Sequence, residues 1–443
     1  MLFLHISQKT MLNWLSRNFL LFAFILSNCV INAQSTYKNI QIDGQDDLLS
    51  YPPCEPSIAI NPKNPDSIVG GAILDKVYVS LDGGLTWDVD KLESKYGVYG
   101  DPCVVANNKG DFYYLHLSDP TGLNWASEEW LDRIVCQRSK DKGYKWSDGS
   151  SIGYNGSKDQ DKEWAICSVS SKRVYATWTQ FDKYDSKEAG DSSNVMFSCT
   201  NRRASKWSPS QRINQISGDC VDDDDTVEGA VPACGKGNEV FVAWARGESI
   251  WFDRSMDGGD TWLDKDIWAG EIVGGWAQDI PGVSRCNGMP VTCCDVSNGP
   301  NSGTIYINYT DQRNGIADTD VWLISSSDQG DTWTEPLRVN TDGPGYHQFF
   351  TWMDVDPVSG HIYIVFYDRR NYDDNRTDVV LATSTDGGRT FTNEVISDSP
   401  FEPQKKQFFG DYSNIDAYNG VVRPIWTRQD NGKSSVWTAI INK

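Results

Sequence analysis

Acidic side chains recur in this sequence at the openings of short strand-like segments. Glu55 and Asp101 each stand six residues before a turn asparagine, and Glu163 and Glu228 take the corresponding places in two later segments. Asp411 stands one residue out of that register, in the stretch GDYSNIDA. Carboxylates held close together raise one another's pKa, which suits a general acid, or they bind a cation. The alternative is that each carboxylate only accepts hydrogen bonds from a neighbouring strand.

A second set of candidate residues is basic and follows the partner strands of the same segments. Its members stand at or just after the strand ends, mostly in the later segments, at Arg246, Arg313, Arg369, Arg370 and Arg428. Several guanidinium groups on one face would bind a carboxylate or a sulfate. The alternative is a local ion pair within each loop, such as Arg313 with Asp311.

The elements that must position these side chains follow from a repeated eight-residue motif. Copies of S-x-D-x-G-x-T-W recur at intervals of roughly 60 residues, starting at Ser80, Ser139, Ser255, Ser326 and Ser384, with a diverged copy at Ser198. In each copy the aspartate would accept N–H groups across a turn, the glycine would take a positive φ and the tryptophan would cover the turn. The motif is therefore predicted to be structural rather than catalytic.

A second repeat pairs a first-strand segment with an aromatic-rich partner strand, and it occurs seven times between EPSIAINP and GDYSNIDA. The eight-residue motif resembles the Asp-box (BNR) repeats of the sialidase superfamily, in which it closes the turn between the third and fourth strands of a propeller blade. This resemblance covers nearly all of residues 50–395. We predict an all-β, seven-bladed, sialidase-like β-propeller, with six blades as the alternative. Residues 34–443 would form this single domain, closed by an N-terminal strand within TYKNIQI.

The resemblance also implies a reaction and the residues that carry it out. Sialidases use a tyrosine nucleophile paired with a glutamate, an aspartate acid/base, and three arginines that bind the substrate carboxylate. On this pattern the nucleophile is Tyr412, its partner is Glu228 or Glu163, and the acid/base is Asp101. The substrate-binding residues would be Arg246, Arg313, Arg370, Arg428, Glu55, Glu163 and Asp411. The R-I-P motif of the family is absent, and YPPCEPS occupies its place.

The predicted function is that of an exported glycoside hydrolase acting on an anionic extracellular glycan, either sialic acid or a uronate. The alternatives are a polysaccharide lyase on the same scaffold and a non-catalytic glycan-binding module at the cell surface, because fold alone does not choose among them. The net charge of −21 disfavours a nucleic-acid partner. We expect a monomer that requires no cofactor. The run Asp222, Asp223, Asp224 and Asp225 is a candidate calcium loop, and a solvated acidic loop is its alternative.

Residues 1–33 are typical of an export signal. Arg17 precedes the apolar run NFLLFAFIL, and cleavage after Ala33 would leave Gln34 first. The run is too short for a membrane span, so we expect a mature chain without one, secreted, periplasmic or at the cell surface. A lipoprotein attached through Cys29 is the alternative, although Asn28 does not suit that processing site. Removal of the signal leaves ten cysteines, an even number that is consistent with disulfides.

Overall fold

Seven four-stranded antiparallel sheets make up the computed structural model, which describes residues 37–46, 51–201 and 206–443. In six of the sheets the strands follow one another along the chain, so each neighbouring pair is a hairpin. The fold is a seven-bladed β-propeller, as predicted, and the six-bladed alternative is wrong. The predicted signal at residues 1–33, with Cys29, lies outside the described residues.

The first described strand, β1 (Lys38–Gly44), belongs to the seventh blade, and blades one to three follow it along the chain. From the central axis outwards, blade one consists of β2 (Ser57–Ile60), β3 (Ile68–Ala72), β4 (Lys76–Ser80) and β5 (Asp88–Lys91). Blade two consists of β6 (Cys103–Ala106), β7 (Phe112–Leu117), β8 (Ile134–Ser139) and β9 (Ser150–Ile152). Blade three consists of β10 (Asp159–Cys167), β11 (Val174–Phe181), β12 (Ser193–Cys199) and β13 (Gln211–Arg212).

Blades four to seven complete the ring in the same manner. Blade four consists of β14 (Pro232–Cys234), β15 (Val240–Arg246), β16 (Ser249–Ser255) and β17 (Ile267–Glu271), and a small hairpin of β18 (Ala277–Gln278) and β19 (Cys286–Asn287) follows it. Blade five consists of β20 (Val291–Cys294), β21 (Ile305–Asp311), β22 (Asp320–Ser326) and β23 (Leu337–Arg338). Blade six consists of β24 (Gln348–Val355), β25 (Ile362–Asp368), β26 (Asp378–Ser384) and β27 (Thr392–Val395). Blade seven consists of β28 (Asn414–Tyr418), β29 (Val421–Asp430), β30 (Lys433–Asn442) and β1.

Strand β1 supplies the outer strand of the seventh blade. It runs antiparallel to β30, with Lys38 opposite Ile440 and Gly44 opposite Ser435. Its Ile42 side chain is buried. Two segments that are far apart in sequence are thus joined by one ladder of backbone hydrogen bonds, which pairs a strand edge that would otherwise be open.

The eight-residue motifs form turns between third and fourth strands. In the copy that begins at Ser255, the Asp257 carboxylate accepts the N–H of Thr261 at 2.8 Å and its hydroxyl at 2.6 Å. These hydrogen bonds, led by the Thr261 hydroxyl, lower the pKa of Asp257 to about 2. Gly259 has a φ of 89°, and a Cβ there would stand 2.1 Å from the ring of Phe197 in the preceding blade. The motif residues are therefore committed to the turn and to blade packing, as predicted.

The ten cysteines of the described residues are all free thiols, so the disulfides that their even number suggested are not formed. Most are buried, and burial raises the pKa of Cys136 to about 12 and that of Cys234 to about 11. A thiol that stays protonated is a poor nucleophile and resists oxidation. Separately, none of the helical structure described, which amounts to one turn at Asn124–Ala126, has the length or apolar character needed to cross a membrane.

Candidate active site

A cavity of about 160 Å³ lies where the first strands begin. Because neighbouring strands are antiparallel, this end of the central opening is opposite the face that carries the eight-residue turns. One part of the cavity lining is charged, and it consists of Glu55, Asp101, Asp161, Lys162 and Arg285. Another part is aromatic, and it includes Tyr51, Tyr99, Trp125, Trp130, Tyr184 and Phe408. The cavity therefore combines ionisable groups with flat apolar surfaces.

A left-handed backbone conformation marks the entrance to several first strands. The φ angle is 54° at Glu55, 48° at Asp101 and 53° at Lys162, and Gly229 and Gly410 take it at the entrances to blades four and seven. A non-glycine residue in this region costs on the order of 1–2 kcal/mol. Such strain is concentrated at functional sites. Three successive blades keep a charged residue here, and all three side chains line the cavity.

Lys162, rather than Glu163, takes the place that Glu55 and Asp101 take in the first two blades. Strand β10 carries a bulge after Asp161, where its pairing with β11 shifts register. The extra residue puts Lys162 at the left-handed position and moves Glu163 one residue further along the strand. The predicted register is therefore wrong by one residue in this blade, because a bulge leaves no mark in the sequence pattern.

Asp411 is the centre of a buried ion cluster. Its carboxylate accepts a hydrogen bond from Lys162 Nζ at 2.6 Å and one from Arg285 Nε at 2.7 Å, and Arg285 Nη2 contacts it as well. Although burial acts in the opposite direction, Arg285 and then Lys162 hold the pKa of Asp411 well below its usual range. Lys162 Nζ also lies 3.9 Å from Asp101. The cluster joins blade three, blade seven and the β18–β19 hairpin beneath one cavity.

Two carboxyl groups in the cavity lining have raised pKa values. Burial raises the pKa of Asp161 to about 8, against the opposing effect of Lys162. Burial, followed by the charges of Asp101 and Asp411, raises the pKa of Glu55. Glu55 Oε1 also accepts the backbone N–H of Asp411 at 3.1 Å, which is the inter-blade hydrogen bond expected for a structural carboxyl group. Asp161 is thus a protonated acid at neutral pH that borders the cavity beside Asp101.

The aromatic side of the cavity is a group of stacked and edge-on rings. The ring centroids of Trp125 and Trp130 are 4.1 Å apart, those of Trp125 and Tyr184 are 5.5 Å apart, and those of Tyr99 and Trp130 are 5.7 Å apart. The Tyr184 hydroxyl donates a hydrogen bond to Asp222 at 2.6 Å. These rings give the cavity an apolar wall that faces its ionic side.

Tyr412, the predicted nucleophile, is buried and is not among the residues that line the cavity. Its ring packs against Trp164 at a centroid distance of 4.8 Å, and its hydroxyl has no hydrogen-bond partner. Burial, followed by the charges of Asp101 and Glu55, raises the pKa of the phenol well above its usual value. The hydroxyl is therefore held protonated, whereas a nucleophile requires a base within hydrogen-bond reach.

Glu228 and Glu163, the predicted partners of Tyr412, are also buried without hydrogen bonds to their carboxyl oxygens. Burial raises the pKa of both, with Asp222 the next contributor for Glu228 and Asp101 for Glu163. Burial therefore favours the neutral form of both carboxyl groups, which costs less to bury than the charged form. Neither belongs to the cavity lining.

The predicted arginines lie in their own loops rather than together. Three of them form local ion pairs, which are Arg313–Asp311, Arg370–Asp368 and Arg428–Asp430. Arg246 donates from Nε to the carbonyl of Ser217 at 3.0 Å. Three of the four arginines thus show the local ion pair that was the alternative, and the cavity is lined by a different arginine, Arg285.

Two of the four consecutive aspartates bind different parts of the chain. Asp222 accepts from Tyr184 and, at 3.4 Å, from Arg285, whereas Asp224 accepts the N–H of Ala277 at 2.9 Å. Within the described part of the chain, no three or more His, Cys, Asp or Glu side chains are grouped so that they could hold a metal ion. Calcium binding by this loop stays a prediction.

Most residues of the cavity were missed by sequence reasoning, among them Trp125, Asp161, Lys162, Tyr184 and Arg285. Asp161 and Lys162 adjoin Glu163 in the stretch DQDKEW, and only the bulge decides which of them takes the strand entrance. Arg285 is carried by the β18–β19 hairpin, which is inserted between blades four and five. The sequence signal for that hairpin is the longer interval between the motifs at Ser255 and Ser326.

Comparison with known proteins shows the fold but no family. No family model and no curated protein matches this sequence. The NanB sialidase of Streptococcus pneumoniae is similar over 79% of this chain and 69% of its own, at 9% identity and a TM-score of 0.51. The α-L-arabinofuranosidase Arb93a of Fusarium graminearum is similar over 77% and 92%, at 10% identity and a TM-score of 0.51.

A third solved structure, a PL25 ulvan lyase bound to -[GlcA(1-4)Rha3S]-, is similar over 90% of this chain and 96% of its own, at 11% identity and a TM-score of 0.51. At such identities the likeness defines the class of fold, a sialidase-like β-propeller. This scaffold carries glycan-active enzymes of more than one reaction type, so the reaction must be argued from the site.

Proposed function

We propose that this protein is an exported glycoside hydrolase that acts on an anionic extracellular glycan. The observation that carries the proposal is that Asp161, whose pKa burial raises to about 8, and Asp101 line one cavity together with a group of aromatic rings. Glycoside hydrolases in general need one carboxylic acid that donates a proton and a second carboxylate that acts as base or nucleophile. An aromatic wall suits a sugar ring, whose C–H face is apolar.

In this proposal Asp161 is the general acid. It donates its proton to the glycosidic oxygen as the bond to the leaving group breaks, and the carboxylate that remains is stabilised by Lys162. Asp101 either takes the proton of an attacking water or attacks the anomeric carbon, and the anomeric configuration of the product distinguishes the two. Arg285, whose side chain is 47% exposed, would bind the acid group of the sugar.

This assignment differs from the sialidase pattern in its catalytic residues. Tyr412 and the four loop arginines take no part, because Tyr412 is buried with its proton and none of the five residues lines the cavity. We therefore expect Arg313→Ala and Arg370→Ala to retain activity. A large loss of turnover in both variants, with unchanged melting temperatures, would indicate that Arg313 and Arg370 bind the substrate.

The experiment is an activity screen of the purified protein on sialosides, ulvan and other uronate polysaccharides. Reducing sugar, released sialic acid and the absorbance of unsaturated products are followed together, so that hydrolysis and elimination are separated. We expect Asp161→Asn and Asp101→Asn each to abolish turnover, and Asp374→Asn, at an exposed pair with Arg376, to leave it unchanged. Wild-type activity should fall above about pH 8, where Asp161 loses its proton. Full activity in both carboxyl variants would refute the proposal.

A polysaccharide lyase is the second candidate function. Arg285 and Tyr184 both contact Asp222 at the edge of the cavity, so a guanidinium and a phenol would face a bound uronate. A lyase would release an unsaturated product from uronate polymers and no reducing sugar from sialosides. Absence of any turnover on the whole panel would instead favour the glycan-binding module.

A further inference from the structure

Trp125 is an exposed indole at the edge of the cavity. It is 66% exposed, and in the part of the chain that the structure describes only one other tryptophan, Trp268, is more than half exposed. Exposure of so large an apolar side chain has an energetic cost that burial against a ligand would recover. Trp268 lies on the outer strand β17 and is not among the cavity residues, whereas Trp125 is.

The loop that carries Trp125 is built to hold it in place. Asp119 accepts the N–H of Gly122 at 2.9 Å through Oδ1 and the N–H of Asn124 at 3.0 Å through Oδ2. The loop is closed by a backbone hydrogen bond from Leu131 to Ser118 at 3.0 Å. A preorganised side chain loses little conformational entropy when a ligand binds.

The indole also continues the aromatic wall outwards from the cavity. Its ring lies against the buried Trp130, and the planes of the two rings are 39° apart. Trp130 in turn meets Tyr184 edge-on, with their centroids 6.1 Å apart. An aromatic surface therefore extends from Tyr184 and the buried Trp130 of the cavity to the exposed Trp125.

We propose that Trp125 is a stacking platform for a sugar residue next to the one that is cleaved, so that the substrate is a polysaccharide rather than a single terminal sugar. The inference rests on the proposed function and adds a substrate class to it. The C–H face of a pyranose ring stacks on an indole, while the hydroxyl groups at its edge stay hydrated.

Binding is tested without turnover, in the Asp161→Asn background. Native gels containing ulvan or polysialic acid retard a protein that binds the polymer, and titration of tryptophan fluorescence measures Kd for oligosaccharides of increasing length. We expect Trp125→Ala to weaken polymer binding about 10-fold, equivalent to 1.4 kcal/mol, and Trp125→Phe to restore part of it. Trp268→Ala is the matched control and should bind as the parent does.

The outcomes separate this inference from the proposed function. Equal retardation of Trp125→Ala and its parent, or no retardation of the parent by either polymer, overturns the platform. If Trp125→Ala weakens the binding of disaccharides and of hexasaccharides by the same factor, the inference that the substrate is a polysaccharide is wrong. If binding depends on Trp125 but the wild-type protein hydrolyses none of the substrates, the stacking platform is supported and the proposed hydrolase function is refuted. An unchanged melting temperature in both Trp125 variants confirms that the fold is intact.

Discussion

Replacement of Asp411 by asparagine tests whether the buried ion cluster stabilises the site. Asp411→Asn removes the negative charge between Lys162 and Arg285 and leaves two cations facing one amide. Loss of one partner from a buried ion pair costs about 3–5 kcal/mol. The lower end of this range applies, because the Arg285 side chain is 47% exposed and can be solvated by water. Lys162 Nζ retains the Asp101 carboxylate at 3.9 Å as a partner.

We therefore expect Asp411→Asn to lower the free energy of unfolding by about 3 kcal/mol. In a chain of this length the melting temperature falls by roughly 1–2 °C per kcal/mol, extrapolating the trend with size, so the shift is about 3–6 °C. Differential scanning fluorimetry and equilibrium urea unfolding measure the two quantities. Asp374→Asn, which breaks a pair exposed on both sides, should change stability by less than about 0.5 kcal/mol.

The pH dependence of this difference has a definite sign. The pKa of Asp411 is lower in the folded protein than in the unfolded chain. Its contribution to stability is therefore fully present above the unfolded pKa and is lost as the pH falls below about 4. The gap in melting temperature between wild type and Asp411→Asn should be constant near neutral pH and shrink in acid. A variant as stable as wild type at pH 7, or a gap that widens in acid, would contradict this reasoning.

Three other substitutions test features of the fold and site. Tyr412→Phe removes a buried hydroxyl that has no hydrogen-bond partner, so the free energy of unfolding in urea should stay unchanged or rise by up to about 1 kcal/mol. Turnover should be retained. Loss of turnover at an unchanged melting temperature would show that the hydroxyl takes part in the reaction. Asp257→Ala deletes both hydrogen bonds to Thr261 and should lower the free energy of unfolding by about 1–2 kcal/mol. The control, Asp260→Ala in the same exposed turn, should lower it little. Equal effects of the two variants would show that the motif aspartate does not stabilise the turn. Ile42→Asp buries a charge in β1 and should detach this strand from β30. We expect new protease cleavage near residues 38–44 and a free energy of unfolding lower by about 3–5 kcal/mol. Protease resistance equal to that of wild type would contradict the importance of this pairing.

The architecture could be predicted from the sequence because six of the seven blades repeat one turn motif, one of them in a diverged copy. The motif places an aspartate, a glycine and a tryptophan at fixed offsets, and their physical roles are local to a few residues. Asp257 with Thr261 shows this directly, since both hydrogen bonds join residues four apart. Seven copies of the strand pair then determine the number of blades.

The cavity could be located from the sequence but its chemistry could not. The first-strand openings were predicted to line the central opening, and Glu55 and Asp101 do line this cavity, whereas their role in function stays a prediction. The acid with a pKa of about 8 is nevertheless Asp161, because the bulge in β10 decides which side chain is buried there. Arg285 reaches Asp411 across 126 residues of sequence, and such long-range pairs have no local signature.

Closure of the ring by β1 has a consequence for the order of folding. The pairing of Lys38 with Ile440 joins segments separated by most of the chain, so it is made after β30 has been synthesised. Pairings of such long sequence separation are slow to form. Until then β1 is without its partner, and the outer edge of β30 is an open template for strands of other molecules. The interval between synthesis of β30 and its pairing with β1 is therefore the period in which this propeller is most exposed to aggregation and to proteases.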